Sequence, residues 1–224
     1  MPDQKYISRM TRLYHFNRLE HASSNIKKKW LKIARWDELN DPFELRNVIP
    51  SNISEVRFDD WHNSIANTLG LICFSNKYSN PVMWGHYAAN ASGVALGFDV
   101  LESDELMKVN YSNCFLEPPT KLNDEKFLIA LLSTKAKDWE YEDEFRIFQK
   151  LAEAKCEFQA DTGRFLYFEP FSHSMRLREI LLGVDCKADQ STINAMKRYI
   201  TPRVDIYRTA RSKTEFEIIK TERL

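Results

Sequence analysis

The 224-residue chain lacks most of the features that would settle its class at once. It has no net charge, with 32 Lys and Arg against 32 Asp and Glu. That balance excludes a global electrostatic pull toward DNA or an anionic membrane surface. No apolar run approaches the roughly 20 residues that a membrane span needs, so no membrane partner is expected. No apolar stretch follows Met1-Pro2-Asp3-Gln4-Lys5, so the expectation is no signal peptide and a cytoplasmic location. The cysteines, Cys73, Cys114, Cys156 and Cys186, are scattered singly, with no C-x-x-C pair. That spacing disfavours a zinc knuckle and demands no disulfide; buried, reduced thiols are expected. There is no G-x-x-x-x-G-K-[ST] or G-x-G-x-x-G phosphate loop, and Ser75 lacks the glycines of a nucleophile elbow. His86 has no second His or Cys at i+4, so no metal site is expected.

What is present is a well-stocked core. Hydrophobic residues make up 43% and aromatics 12%, which excludes disorder on a large scale. No repeat, low-complexity tract or Pro/Gly/Ser-rich linker interrupts the chain, so a single domain over residues 1–224 is expected. Alternating or compact apolar runs predict strands at 12–16, 30–34, 70–75, 92–99, 109–112, 178–184, 204–208 and 216–220. A hairpin is expected where 155–159 and 164–169 flank Asp161-Thr162-Gly163. Helices are predicted over 19–29 with Asn17 as cap, around 58–66, from Asn80-Pro81 to about Asn90, over 124–137 with Asn123 as cap, and over 189–200. Strands outnumber helices and the hairpin is local. The expected class is α+β, with a mixed, mostly antiparallel sheet flanked by helices.

Chemistry-bearing residues concentrate in a few stretches. Trp139-Glu140-Tyr141-Glu142-Asp143-Glu144-Phe145-Arg146-Ile147-Phe148 packs four acidic residues around one tyrosine. Strand alternation would put Glu142, Glu144 and Arg146 on one face and Phe145 and Ile147 on the other. Such a face suits a solvated strand or the polar wall of a cleft. Arg146 also has a structural use, pairing with Glu142, Glu144 or the Asp41 and Glu44 carboxylates of the loop Asp37-Glu38-Leu39-Asn40-Asp41-Pro42-Phe43-Glu44. That loop has turn chemistry, and either joins two elements or borders a ligand. His86 and Tyr87 are either packed residues or a proton donor and ligand contact. Lys27-Lys28-Lys29 and the series Lys197, Arg198, Arg203, Arg208, Arg211, Lys213 are locally basic. They are either a solvated face or a seat for the phosphates of a nucleotide or RNA.

Taken in order, Leu13-Tyr14-His15-Phe16, Leu39-Asn40-Asp41-Pro42-Phe43-Glu44, Cys73-Phe74-Ser75, Met83-Trp84-Gly85-His86-Tyr87-Ala88, Gly93-Val94-Ala95-Leu96-Gly97-Phe98-Asp99 and Trp139 to Arg146 resemble the bacterial and phage family known as domain of unknown function 2971. The family label names no activity. A second resemblance supplies one. ADP-ribosyltransferases are similar in layout, with an early strand bearing His or Arg, a middle strand ending in a hydroxyl or aromatic residue, and a late strand with an E-x-E. The matching places are His15, Ser75 and Glu142/Glu144. That resemblance implies an ADP-ribosyltransferase-like fold and NAD as substrate. It implies that His15, beside Tyr14, holds a ribose hydroxyl and that Ser75 supports the nicotinamide-ribose end. Glu144 would bond the nicotinamide ribose and Glu142 would orient or deprotonate an unknown macromolecular acceptor. Trp84 or Tyr87, next to His86, would stack on nicotinamide.

The chemistry is coherent. Breaking a glycosidic C–N bond generates an oxocarbenium-like centre that a nearby carboxylate stabilises. Preorganised groups of this kind contribute about 3–4 kcal/mol each. Two function classes follow: an NAD-using glycosyl-transfer enzyme, as in a toxin or phage-defence effector, or a non-catalytic binding or interaction module in which these segments knit the core, with a nucleotide or RNA binder as its variant. The first expects His15, Ser75 and Glu144 to line one cleft. The second expects Glu144 to be spent on an Arg146-type pair.

Overall fold

Alternating strands and well-punctuated turns account for most of the architecture. The computed structural model describes residues 9–48, 55–103, 105–119 and 124–224. In chain order the elements are β1 (Met10–Asn17), α1 (Leu19–Lys28), β2 (Trp30–Ile33), α2 (Glu55–Thr68), β3 (Leu69–Ser75), α3 (Pro81–Tyr87), β4 (Val94–Leu101), β5 (Leu106–Lys108) and β6 (Asn110–Ser112). They continue with α4 (Glu125–Ser133), β7 (Thr134–Ala136), β8 (Glu144–Lys150), β9 (Lys155–Gln159), β10 (Arg164–Pro170), β11 (Met175–Leu182), α5 (Gln190–Lys197), β12 (Asp205–Arg211) and β13 (Ile218–Arg223). Short 3-10 turns cover Trp36–Glu38 and Lys137–Glu142. The class is mixed α and β, with mostly antiparallel strands, as expected. Among the described residues no helix is long and apolar enough to cross a membrane. All four cysteines are free thiols.

Two compact units interleave along the chain. The first comprises Met1–Lys29, Phe74–Leu106 and Pro170–Leu224; the second comprises Trp30–Cys73 and Met107–Glu169.

In the first unit the strands run in the order β13-β12-β11-β4-β1. Only β11 and β12 pair in parallel; β1 with β4, β4 with β11 and β12 with β13 are antiparallel. The end of β3 reaches β1, with Tyr14 opposite Ser75. Val94 to Phe98 are all buried, which explains why that run reads as nearly continuously apolar rather than alternating. Leu13, Leu96, Phe98, Ile180 and Ile206 form the heart of this core. Truncating one such leucine to alanine costs about 2–5 kcal/mol. α1 lies against β4 and α5, burying Ala22, Asn25 and Ile26. Asn80 caps α3 by accepting from the Val82 amide, with Pro81 at the first helical position, as the sequence predicts. α3 ends at Tyr87, short of Asn90, because Ala89, Asn90 and Ala91 take left-handed φ of 49°, 54° and 63°. Asn17 does not cap α1. Its backbone stays in the ladder opposite Val94, and Arg18 occupies the cap position without a side-chain bond.

The second unit contains most of β3, with β8 beside it and β5 beyond. A separate sheet runs β2-β10-β9, and β6 pairs in parallel with β7. The β9–β10 hairpin forms as expected, Arg164 opposite Gln159, around Gly163 at φ 66°. Trp36, Leu45, Leu71, Phe127, Leu131 and Leu132 form the core, with Leu128 packed against it. Asp124 caps α4 by accepting from the Phe127 amide; the expected cap Asn123 lies outside the described residues. The predicted helix to Lys137 stops at Ser133. From Thr134 the chain is extended and pairs with β6, Asn110 opposite Thr134, so sheet pairing overrides the helical pattern.

Candidate functional site

The densest chemistry in the second unit is a cluster of buried charges. Lys135 comes from β7, Glu142 from the end of the 3-10 turn, Glu144 and Arg146 from β8, and Glu44 from the loop after β2. Glu142 is not on the strand: Asp143 takes a left-handed φ of 42° and β8 starts at Glu144. The side chains nonetheless gather as if they shared a face, and Glu142, Glu144 and Arg146 are all buried.

The geometry is nearly saturated. Arg146 donates from Nε to Glu144 Oε1 at 2.8 Å and from Nη2 to Glu144 Oε2 at 3.0 Å. It also grips Glu44, Nη2 to Oε1 at 2.5 Å and Nη1 to Oε2 at 3.1 Å, and donates to the Leu132 carbonyl at 2.9 Å. Lys135 Nζ donates to Glu142 Oε2 at 2.6 Å and to Glu144 Oε2 at 3.4 Å, and stands 4.7 Å above the Trp139 ring. The Glu144 amide donates to the Tyr111 hydroxyl at 2.9 Å.

Three carboxylates face two cations, and the pKa directions divide accordingly. Burial pushes Glu144 up, but Arg146 and Lys135 outweigh it and hold the acid to about 2. Burial also pushes Glu44 up, and there Arg146 offsets it only in part. Burial opposes the charge on Lys135, yet Glu144 and Glu142 keep its pKa raised. Burial, reinforced by Glu144, pushes the Cys73 thiol well up. Neither Glu144 nor Cys73 is therefore tuned for proton transfer near neutral pH.

A cavity of about 190 Å³ adjoins this cluster, lined by Lys135, Asn47, Thr134, Asp41, Phe43 and Phe115 among others. Asn47 is 6% exposed. Its Nδ2 donates to the Thr134 carbonyl at 3.2 Å, while its Oδ1 accepts from no described residue. A buried acceptor left bare costs about 1–3 kcal/mol, so the position calls for a donor. Phe43 and Phe115 are half-exposed, their rings 5.6 Å apart.

Family models, curated proteins and solved structures give no match to this chain.

The residues singled out from the sequence fall into two groups. Glu142 and Glu144 belong to the second unit; Tyr14, His15, Ser75, Trp84, His86 and Tyr87 belong to the first. There Tyr14 is buried and donates its hydroxyl to Glu179 Oε1 at 2.8 Å. Ser75 is buried and donates to the Lys77 carbonyl at 3.1 Å. His15 is half-buried, 5.8 Å from the Phe74 ring. Trp84 is buried edge-on to Phe16, with Nε1 donating to the Tyr78 carbonyl, so its faces are covered. His86 is exposed beside the half-buried Tyr87.

Sequence reasoning missed Glu179, the hub of the first unit. It accepts from Tyr14, from Lys220 at 2.5 Å and from Arg12 at 3.0 Å. It also missed Lys135. The available signal was the same in both cases: a charge set within or beside a run of apolar residues, where an unpaired charge would be prohibitive.

Proposed function

We propose that this chain is a non-catalytic binding module, in which the NDPFE and WEYEDEFR segments are architecture and the adjoining cavity takes the ligand. One observation carries this reading: both oxygens of Glu144 are bonded by Arg146, inside a cluster where Glu144 is 4% and Arg146 0% exposed. A carboxylate that stabilises an oxocarbenium-like centre must reach the substrate. Withdrawing one partner from a buried pair of this kind costs about 3–5 kcal/mol, which is comparable to the catalytic gain it would have to supply. Asn47 Oδ1 asks for an N–H or O–H donor on a ligand seated in this cavity. The volume lies below the roughly 300–1,000 Å³ of drug-sized sites, so the ligand is small and polar.

The test is nicotinamide release from labelled NAD, with and without cell extract, by wild type and Glu144→Gln. The expected result is no release by either protein. Release by wild type that Glu144→Gln loses, while its circular dichroism stays native, would overturn the reading.

A second reading is the NAD-dependent enzyme that the ADP-ribosyltransferase resemblance implies, acting on a macromolecular acceptor. It is favoured by one observation, the register that sets Tyr14, next to His15, opposite Ser75. In that reading Glu144 must be released from Arg146 when NAD binds, and the same assay detects it.

A further inference from the structure

A cavity of about 530 Å³ in the first unit opens between the end of α1, the start of β11 and the segment after α5. Its floor is apolar, from Ile26, Met175, Leu177, Phe171 and Val204. Its rim is cationic, from Lys29, Arg176, Arg178 and Arg203, and its lining contains no Asp or Glu. In a chain with no net charge that segregation is local and unbalanced. Arg178 is committed to Asp99 at 2.8 Å. Arg176 donates Nε to the His173 carbonyl at 2.6 Å, which leaves its terminal nitrogens available. Among the described residues no ion pair engages Lys29, Arg176 or Arg203. The walls are held: the Phe171 amide donates to the Lys29 carbonyl at 2.8 Å, and Lys29 sits in a left-handed φ of 55° at the end of α1. Tyr199 also lines the cavity and is 41% exposed.

We infer that this cavity binds a nucleoside phosphate, with the base on Tyr199 and the apolar floor and the phosphates on Lys29, Arg176 and Arg203. Three cations without carboxylate partners on one rim fit a group that carries more than one negative charge and several acceptor oxygens. An exposed aromatic ring above an apolar floor fits a flat body that stacks. A fatty-acyl anion satisfies the floor but uses only one of the three cations, and free phosphate leaves the floor empty. The inference stands on the first unit alone, so it is independent of the role given to Glu144.

Titration calorimetry of the full chain with ADP, adenosine, inorganic phosphate and decanoate tests it. ADP is expected to bind more tightly than adenosine or phosphate, and more weakly as salt rises. Arg203→Gln and Tyr199→Leu should each weaken ADP by about tenfold, which is roughly 1.4 kcal/mol. Both positions are exposed at the rim, so the folds should survive, and unchanged thermal melting confirms that. No ADP binding at millimolar concentration, ADP affinity indifferent to both substitutions, or decanoate binding in preference to ADP would each overturn the assignment.

Discussion

Each unit is built around buried carboxylates, and the two solutions differ in access to water. Glu179 in the first unit collects a tyrosine, an arginine and a lysine, and its cations lie partly in solvent: the Arg12 and Lys220 side chains are 37% and 27% exposed. Glu144 in the second unit is held by Arg146 and Lys135, whose side chains are 0% and 4% exposed. Both acids end below their ordinary values against the opposing effect of burial, Glu179 through its hydrogen bonds from Lys220 and Tyr14 and Glu144 through the charges of Arg146 and Lys135. The difference lies in what happens when a partner is lost. Water can replace a cation at the rim of the first cluster. Arg146 in the second cluster is fully buried, so water cannot take its place without unpacking the core.

The comparison can be broken most forcefully at Arg146. Arg146→Met leaves Glu44 and Glu144 buried without a guanidinium, and unfolding in urea should show a loss of about 3–5 kcal/mol. A loss comparable to that of a surface pair would place the cluster in solvent. Next in size is Tyr14→Phe, which removes one bond to Glu179 while Arg12 and Lys220 remain; about 1–2 kcal/mol is expected from the same measurement. Lys220→Met should have the smallest effect, about 0.2–1 kcal/mol, and that effect should shrink in high salt.

Acid sharpens the comparison further. Glu144 and Glu179 have folded pKa values below their unfolded ones, so the stability they add is present above the ordinary value of 4.5 and is lost as pH falls through the folded values. Glu44 is shifted the other way, so its contribution is present at low pH and fades as pH rises. Between pH 4.5 and about 2, Glu144→Gln should therefore lose less stability than wild type as the solution is acidified, a flatter acid limb in urea midpoints taken across that window. An unchanged limb would mean that Glu144 is not charged against Arg146.

Much of the fold was legible because its signals are local. The β9–β10 hairpin needs only period-two runs and Asp161-Thr162-Gly163, and the α3 cap needs only Asn80-Pro81. Boundaries failed where a long-range ladder competed with a local preference, as at Asn17 held by Val94 and Thr134 held by Asn110. The interleaving of two units has no local signature, since no linker marks the passage within β3 between Cys73 and Phe74. In the candidate site, an Arg146 pair was legible from i, i+2 spacing. Its second grip, on Glu44, was among the partners expected for Arg146, but the choice among them spans 102 residues and is made only by folding. Lys135 was hidden by the helical pattern that precedes it. Glu179 was hidden because a charge at the start of an apolar strand looks like an end effect until Tyr14 and Lys220 are seen to face it.

The most direct measurement is a double-mutant cycle on Glu144→Gln and Arg146→Met, with unfolding free energies from urea titrations at neutral pH. If the pair is architecture, the double variant should be more stable than the two single losses summed would allow, with a coupling of about 1.5–3 kcal/mol. Additivity within about 0.5 kcal/mol would show that Glu144 is not spent on Arg146 and would return it to the list of catalytic candidates.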